Sequence, residues 1–199
     1  MKFIKPTKIS ESFQVKTWFD FFRLYYCDVQ SKFIFVSDCD GILTNGKNIY
    51  TKDGKVAKEY GAYDKEAIQF IVDYMMNKIY FITNDSNGMN IHMKRINDIT
   101  KGLKCYHLVY IKEASPEYRV EFIKELKQKN EGYKIVFIGD SYSDIPSLVE
   151  ADFALTVNNA PDEVKYYCNY VSKKDGGNGG FAECIFEFYK NIHNIINEK

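Results

Sequence analysis

Short apolar runs alternate with amphipathic segments along most of the chain. The apolar runs are compact and rich in β-branched and aromatic residues, and each ends in small or polar residues, as buried parallel strands do. They cover residues 32–37, 78–83, 133–139 and 153–157, with a shorter candidate at 107–110. Helical patterns lie between them, at about 64–76, 87–98, 116–129 and 144–150. The alternation predicts an α/β domain with a parallel sheet flanked by helices.

Two segments depart from this alternation. Residues 47–59 form two short runs around Asp53-Gly54, a dipeptide that favours the type I′ turn of a tight β-hairpin. Near the N-terminus, the stretch WFDFFRLYY concentrates aromatic residues on a predicted helix, and such apolar stripes usually pack on a core. We therefore predict a helical extension over residues 1–30 that packs on a single domain over residues 31–199.

Composition and charge exclude several classes of function. The 199 residues include 27 basic and 27 acidic side chains, so no overall positive charge would attract nucleic acid or an anionic membrane. No stretch approaches the roughly 20 apolar residues of a membrane span, and the N-terminus lacks the apolar core of a signal peptide. The 5 scattered cysteines include no CxxC pair, which disfavours a disulfide framework or a zinc site. We expect a cytoplasmic protein with a local site.

Polar residues follow several of the apolar runs, at the points where the predicted strands end. Ligands bind beyond the carboxyl ends of parallel strands, so these residues should converge in one crevice. Side chains two apart on an extended segment point to the same side, so the first two aspartates would crowd like charges together. Several carboxylates without His or Cys predict Mg²⁺, a hard cation that leaves positions for water and a phosphate. The residues are Asp38, Asp40, Thr83, Asn84, Asp140 and Asp144.

The order of these residues resembles a known family. Four ordered motifs of the haloacid dehalogenase superfamily of phosphatases are matched by FVSDCDGILTNG, by the run ending at Thr83, by Arg119 near the start of a helix, and by IGDSYSDIPSL. DxDG followed later by GDxxxD is a specific signal. Over about residues 33–185 the chain resembles the 3-deoxy-D-manno-octulosonate 8-phosphate and acylneuraminate 9-phosphate phosphatases. This resemblance implies a Rossmann-like sheet with a small hairpin flap in place of a cap domain.

The resemblance implies a role for each of these residues. Asp38 would attack phosphorus and form an aspartyl-phosphate, and Asp40 would protonate the leaving alkoxide and then activate water. Thr83 would hydrogen-bond a phosphoryl oxygen. Mg²⁺ would be held by Asp38, by the Asp40 backbone carbonyl and by Asp140, with Asp144 supporting these metal ligands.

Two candidates are open for the cation that offsets the charge of the phosphate. Arg119 is favoured by its helical spacing to Ile123 and Leu126. Lys112 lies near enough in the sequence to compete. The family usually has a lysine at this place.

Substrate contacts are expected from Gly41, Asp64, Lys65, Thr83 and Asn84. The branch carries arginines at three places where this chain reads YDK at 63–65, TND at 83–85 and FAE at 181–183. Bidentate arginines are the strong way to hold a carboxylate, and Asp85 would repel one. We therefore expect a small sugar, polyol or amino-alcohol phosphate as substrate. The resemblance alone implies a role in surface polysaccharide biosynthesis. An ulosonic acid 8-phosphate or 9-phosphate is the alternative.

The resemblance also implies a homotetramer. In this branch the hairpins join into a central barrel, and the glycine-rich segment, here DGGNGG at 175–180, reaches a neighbour's site. Two functions of other classes fit the motifs less well. A receiver-like signalling module has its acidic pair on the first strand and its phospho-acceptor on a middle strand, unlike the order here. A catalytically dead binding protein is disfavoured by the intact pair Asp38 and Asp40.

Overall fold

The computed structural model describes residues 32–197, with side chains described as far as residue 191. The predicted helical extension over residues 1–30 lies outside the described residues. The strands in chain order are β1 (Phe33–Asp38), β2 (Thr44–Thr51), β3 (Gly54–Tyr60), β4 (Lys78–Thr83), β5 (Val109–Glu113), β6 (Lys134–Ile138), β7 (Phe153–Thr156) and β8 (Tyr170–Val171). The helices are α1 (Asp64–Gln69), α2 (Met89–Thr100), α3 (Pro116–Lys129), α4 (Ile145–Glu150), α5 (Asp162–Lys165) and α6 (Gly180–Asn197).

Six strands form one parallel sheet in the order β5-β4-β1-β6-β7-β8. This confirms the predicted α/β fold. Strand β1 pairs with β4 on one side and β6 on the other, so that Asp38 lies beside Ile82 and Ser37 beside Ile138. The carboxyl ends of the three central strands therefore meet at one edge, where the sequence places its polar residues.

An aromatic cluster joins β1 to the C-terminal helix. Phe33 and Phe35 lie two apart on β1 and therefore face the same side of the sheet. The ring of Phe33 lies 5.0 Å from that of Phe188, and the ring of Phe35 lies 5.8 Å from that of Tyr189, both on α6. Edge contacts of this kind add about 0.5–1.5 kcal/mol each to the burial of the rings. Helix α6 thus covers one face of the central strand β1.

No helix of residues 32–197 is both long and apolar enough to cross a membrane.

The hairpin β2–β3 is confirmed, although its turn differs from the prediction. Thr51 pairs with Gly54, so the loop is Lys52–Asp53 rather than Asp53-Gly54. Neither loop residue has a positive φ, which the type I′ turn requires, and only Gly54 takes one, of +115°. The predicted turn type is therefore wrong.

A bulge interrupts the hairpin ladder next to this turn. Ile49 pairs with Ala57 and Tyr50 pairs with Lys55, which leaves Val56 as an extra residue on β3. A bulge of this kind changes which side chains of β3 share a face.

The remaining differences from the sequence expectations are local. The α-helix predicted over 64–76 ends at Gln69 and continues as a π-helical turn over Phe70–Tyr74. Strand β8 and the short helix α5 carry no pattern that predicted them. Only the hairpin and this helical segment separate β1 from β4, as expected for a flap in place of a cap domain.

The glycine-rich segment 175–180 packs against the loop that follows β1 in the same chain. The Gly177 amide donates to the Ile42 carbonyl at 3.0 Å. A Cβ atom at Gly176 would lie 1.6 Å from the Gly41 carbonyl oxygen, so only glycine fits there. These glycines thus make a close approach to the loop after β1 of their own chain, and the expected approach to a neighbour's site stays a prediction.

Candidate active site

Three carboxylates meet at the carboxyl ends of β1 and β6. Asp38 is the last residue of β1, Asp140 follows β6 by two residues, and Asp144 ends the single 3-10 turn that comes next. One oxygen of each lies within 4.8 Å of the other two. Asp38 and Asp144 are buried. The structure therefore brings together three of the four aspartates that the sequence analysis assigned to the metal.

Asp144 organises this loop. Its Oδ2 accepts hydrogen bonds from the Asp140 amide at 3.2 Å, the Ser141 amide at 3.1 Å and the Ser141 hydroxyl at 2.8 Å. Its Oδ1 accepts from Arg119. Because both oxygens already accept hydrogen bonds, Asp144 holds Asp140 in place rather than offering a free ligand atom.

Arg119 reaches the carboxylates from α3. The helix begins with Ser115 as its N-cap, whose hydroxyl accepts from the Tyr118 amide, and with Pro116 at its first position. Arg119 lies one turn further on and is only 3% exposed. Its Nη1 lies 3.3 Å from Asp38 Oδ2, and its Nη2 lies 3.4 Å from Asp38 Oδ1.

Lys112, the competing candidate, lies elsewhere. Its ammonium group is 4.3 Å from the centre of the Tyr118 ring and 4.6 Å from that of Phe122. It therefore makes cation–π contacts with two aromatic residues of α3. Of the two candidates, the fold brings only Arg119 to the carboxylates.

Burial and mutual repulsion raise the pKa values of this group. Burial, followed by the charge of Asp144, raises the pKa of Asp38 well above its usual range, and Arg119 opposes this shift. The same two causes raise the pKa of Asp140 to about 7. Both shifts show that the ionised carboxylates lack enough positive charge around them.

A hard divalent cation fits these residues. Asp140 Oδ1 is buried and has no hydrogen-bond partner among the described residues, which is costly for a carboxylate oxygen. All the clustered donors are oxygen atoms, the type that Mg²⁺ prefers. Asp38 and Asp140 would hold the cation directly.

The Asp40 carboxylate lies outside this group. Oδ2 accepts from the Thr83 hydroxyl at 3.3 Å and lies 3.1 Å from His92 Nε2, while Oδ1 lies 2.5 Å from Lys58 Nζ. Burial raises the pKa of Asp40, but hydrogen bonds from His92 and Lys58 more than offset this effect and hold the pKa well below its usual range. The Asp40 side chain, about a third of which remains exposed, is thus held by other residues and lies outside the cluster of Asp38, Asp140 and Asp144. The resemblance assigned only the Asp40 backbone carbonyl to the metal.

Lys58 and His92 were missed by sequence reasoning. Lys58 is on β3 with a side chain that is 0% exposed, and His92 is buried on α2. Lys58 Nζ also lies 2.6 Å from Asp85 Oδ2, and Lys55 pairs with the same oxygen. In a regular strand, residues three apart face opposite sides, so the bulge at Val56 is what lets both lysines reach Asp85. No pattern in the sequence predicts such a bulge.

A cavity of about 500 Å³ opens onto these groups. Gly41 and Asn84, two of the expected substrate contacts, line it, and Thr83 lies directly behind Asp40. The lining residues are Asp38, Asp40, Gly41, Gly46, Lys55, Asn84, Asp85, Arg119, Asp140, Ser141 and Ser143. Lys55 was not among the residues singled out from the sequence.

Asp64 and Lys65 do not reach this cavity. Asp64 is 2% exposed at the start of α1, where burial raises its pKa to about 7 and Arg95 opposes the shift. Lys65 is exposed on the outer side of the same helix. Successive side chains on a helix point about 100° apart. Neither Asp64 nor Lys65 therefore makes the substrate contact that was expected from its position in the motif at 63–65.

Asp85 also differs from its expected role as a repulsive charge. Its carboxylate pairs with both Lys55 and Lys58. These contacts lower its pKa despite the opposing effect of burial. The wall of the cavity next to Asn84 is therefore a neutralised ion cluster rather than a free negative charge.

The chain is similar to a known family of hydrolases. Residues 31–185 match the model of a family described as haloacid dehalogenase-like hydrolase. The chain is 27% identical over 152 residues to the 3-deoxy-D-manno-octulosonate 8-phosphate phosphatase KdsC of Haemophilus influenzae, a match that covers 76% of this chain and 79% of that protein. It is 31% identical over 91 residues to a soluble P-type ATPase-like phosphatase of Methanocaldococcus jannaschii, covering 46% of this chain and 30% of that protein.

Solved structures show the same fold. The cobalt-bound deoxy-D-mannose-octulosonate 8-phosphate phosphatase of Haemophilus influenzae has a TM-score of 0.66 and 22% identity, with 84% of this chain and 94% of that chain covered. The 3-deoxy-D-manno-octulosonate 8-phosphate phosphatase of Moraxella catarrhalis, in complex with magnesium, phosphate and KDO, has a TM-score of 0.64 and 22% identity, with coverage of 85% and 92%. Both structures support the arrangement of strands around the cavity.

The contact between Gly41 and Asp140 gives a test of the metal site. A Cβ atom at Gly41 would lie 1.9 Å from Asp140 Oδ2, so Gly41→Ala should displace this carboxylate. At a Mg²⁺ concentration of 100 times Kd, a specific site adds about 2.7 kcal/mol to the free energy of unfolding. We expect the wild type to gain stability with Mg²⁺ in thermal unfolding, and Gly41→Ala to lose this gain.

Gly46→Ala is the matched control. Gly46 has a φ of +75°, close to the +80° of Gly41, but its Cβ would find its nearest neighbour at 3.8 Å. Both variants therefore bear the same backbone strain, and only one displaces Asp140. A Gly41→Ala protein that responds to Mg²⁺ as the wild type does would contradict the assignment.

Proposed function

The chain belongs to the haloacid dehalogenase-like hydrolase family and is a phosphatase, and on this premise we propose that it hydrolyses a small phosphomonoester with Mg²⁺, through an aspartyl-phosphate on Asp38. One observation carries the proposal. The buried Asp38 pairs with Arg119 beside the Asp140 and Asp144 carboxylates, while Asp40 is held separately and faces the same cavity.

In the first step a carboxylate oxygen of Asp38 forms a bond to phosphorus, and the bond from phosphorus to the alcohol oxygen breaks. Arg119 lies against Asp38 and offsets the charge of the incoming phosphoryl group. Mg²⁺, held by Asp38 and Asp140, would neutralise further phosphate charge. Without these cations a dianionic phosphate would be repelled by the carboxylates.

Asp40 moves the protons. In the free site Asp40 is a carboxylate, because His92 and Lys58 hold its pKa low despite its partial burial. As an acid it takes up a proton when the phosphate binds beside it and donates this proton to the departing alkoxide, which leaves as an alcohol. As a carboxylate it then accepts a proton from the water that attacks the aspartyl-phosphate, which releases phosphate and restores Asp38. Thr83 hydrogen-bonds Asp40 and lies where it can also turn toward a phosphoryl oxygen.

The cavity suits a small substrate. A volume of about 500 Å³ accommodates a sugar, polyol or amino-alcohol phosphate, and its wall carries no arginine other than Arg119. A role in the cytoplasmic synthesis of surface polysaccharide precursors is suggested by the relatives, 3-deoxy-D-manno-octulosonate 8-phosphate phosphatases. The second candidate substrate is an ulosonic acid 8-phosphate or an acylneuraminate 9-phosphate. The Lys55 ammonium group favours this candidate, because it could hold the carboxylate of such an acid.

The mechanism predicts which substitutions abolish activity. With p-nitrophenyl phosphate and Mg²⁺, Asp38→Asn should fall to the background rate because no nucleophile remains. With an alkyl phosphate, Asp40→Asn should lose about 10²- to 10⁴-fold in kcat/KM, the usual contribution of a general acid. EDTA should abolish turnover, and added Mg²⁺ should restore it. The control Asp98→Asn, which alters an exposed aspartate on α2, should stay fully active.

A substrate screen separates the two candidate substrate classes. We expect kcat/KM for a small phosphorylated polyol or amino alcohol to exceed that for 3-deoxy-D-manno-octulosonate 8-phosphate. The reason is that, of the two cations among the described lining residues, Arg119 lies against Asp38 and Lys55 is already paired with Asp85. If the ulosonic acid phosphate is the best substrate, the preference for neutral substrates is wrong and Lys55 becomes its first candidate ligand.

The hairpin supports a proposed homotetramer. Ile49, Tyr50 and Val56 lie on it with exposures of 57%, 64% and 50%. Exposed apolar strand residues of this kind mark a surface that another chain covers. A tetramer joined through its hairpins would also shield the open cavity from water.

Light scattering tests the assembly. The wild type should have four times the 23.2 kDa mass of the chain. Ile49→Lys combined with Val56→Lys should reduce this mass, because it places charges on the proposed contact. Tyr166→Lys is the control, since Tyr166 is 83% exposed and lies away from the hairpin. A wild type that is monomeric and fully active at nanomolar concentration would refute the tetramer.

A further inference from the structure

A second group of ligand-type side chains lies beside the metal cluster. Asp40, Asp85 and His92 each place one potential metal-ligand atom within 4.8 Å of the others, so these three residues could hold a cation. The Lys58 ammonium group already lies inside it. Its Nζ is 2.5 Å from Asp40 Oδ1, 2.6 Å from Asp85 Oδ2 and 2.9 Å from His92 Nε2. A lysine ammonium only donates hydrogen bonds, so the two carboxylate oxygens accept from it. His92 Nε2 can accept from Lys58 only in the tautomer in which it does not donate to Asp40.

An enclosed ammonium group is costly unless it is neutralised. The Lys58 side chain is 0% exposed, so the two carboxylates must compensate for its lost hydration. The converse also holds, because the carboxylates would repel each other without it. Lys58 and Asp40 therefore fix each other's positions more firmly than a surface ion pair would.

We propose that Lys58 is an internal cation that positions Asp40 for general acid catalysis, an inference that rests on the proposed function. His92 supports the same carboxylate from its other oxygen, at 3.1 Å, and is itself held by the Tyr60 hydroxyl at 2.8 Å from Nδ1. Lys58 does not line the cavity. It is thus a positioning residue, and the hairpin that carries it belongs to the catalytic apparatus.

The arrangement gives each aspartate of the DxD pair its own cation. Arg119 contacts Asp38, and Lys58 contacts Asp40. Loss of Lys58 would leave the Asp40 carboxylate held at Oδ2 alone, by His92 and Thr83, so its orientation toward the leaving group would be less fixed. The effect should therefore depend on how much the leaving group needs a proton.

Two substrates distinguish this role from general structural damage. p-Nitrophenolate leaves as a stable anion and needs little protonation, whereas the alkoxide of an alkyl phosphate needs a proton. In Lys58→Met we expect kcat/KM for the best alkyl phosphate of the screen to fall by about 10²- to 10⁴-fold, while that for p-nitrophenyl phosphate falls by about tenfold or less. Lys47→Met, which alters an exposed lysine of the same hairpin, should change neither value.

The outcomes separate the two proposals. A wild type without phosphatase activity would refute the proposed function. An active wild type with equal losses on both substrates in Lys58→Met, or with no loss on either, would overturn the positioning role alone. If Lys58→Met does not fold, the double variant Lys58→Met/Asp85→Asn removes one charge of each sign and keeps the balance. It is expected to show the same selective loss, and equal losses there would likewise overturn the inference.

Discussion

The site depends on one electrostatic constraint, the crowding of carboxylates at the edge of a buried sheet. Among the described residues, five aspartates meet around the cavity, and three lysine or arginine side chains and His92 contact them; with His92 neutral, this leaves two negative charges for a divalent cation to balance. The raised pKa values of Asp38 and Asp140 express this deficit, since burial and neighbouring carboxylates favour their protonated forms. The aspartates are Asp38, Asp40, Asp85, Asp140 and Asp144; the basic residues are Lys55, Lys58 and Arg119.

The fold meets this constraint through close backbone packing. The turn after β1 passes so near to Asp140 and to the glycine-rich segment that Gly41 and Gly176 admit no side chain. This packing leaves little space between the loops that carry the carboxylates. A cation or a proton can relieve the repulsion between these carboxylates, which couples metal binding to the protonation of the site.

The hairpin contributes charge as well as surface. Its bulge at Val56 directs Lys55 and Lys58 to one carboxylate, and its apolar side chains Ile49 and Tyr50 are exposed. One short element thus supplies both an internal cation and the proposed contact between subunits. This double use accounts for a flap that is small and yet rich in both lysines and apolar residues.

The sequence by itself determined the parallel α/β fold and the order in which the polar motifs follow the central strands. It also determined the convergence of Asp38, Asp140 and Asp144. These features follow from local periodicity and from the rule that strand ends share one edge. Only the tertiary structure decided between Arg119 and Lys112, withdrew Asp64 and Lys65 from the cavity, and revealed Lys58 and His92 behind Asp40. Those outcomes depend on where a long side chain points and on a bulge in one strand. Both are set by contacts between residues that are far apart in the chain, so local sequence patterns carry no record of them.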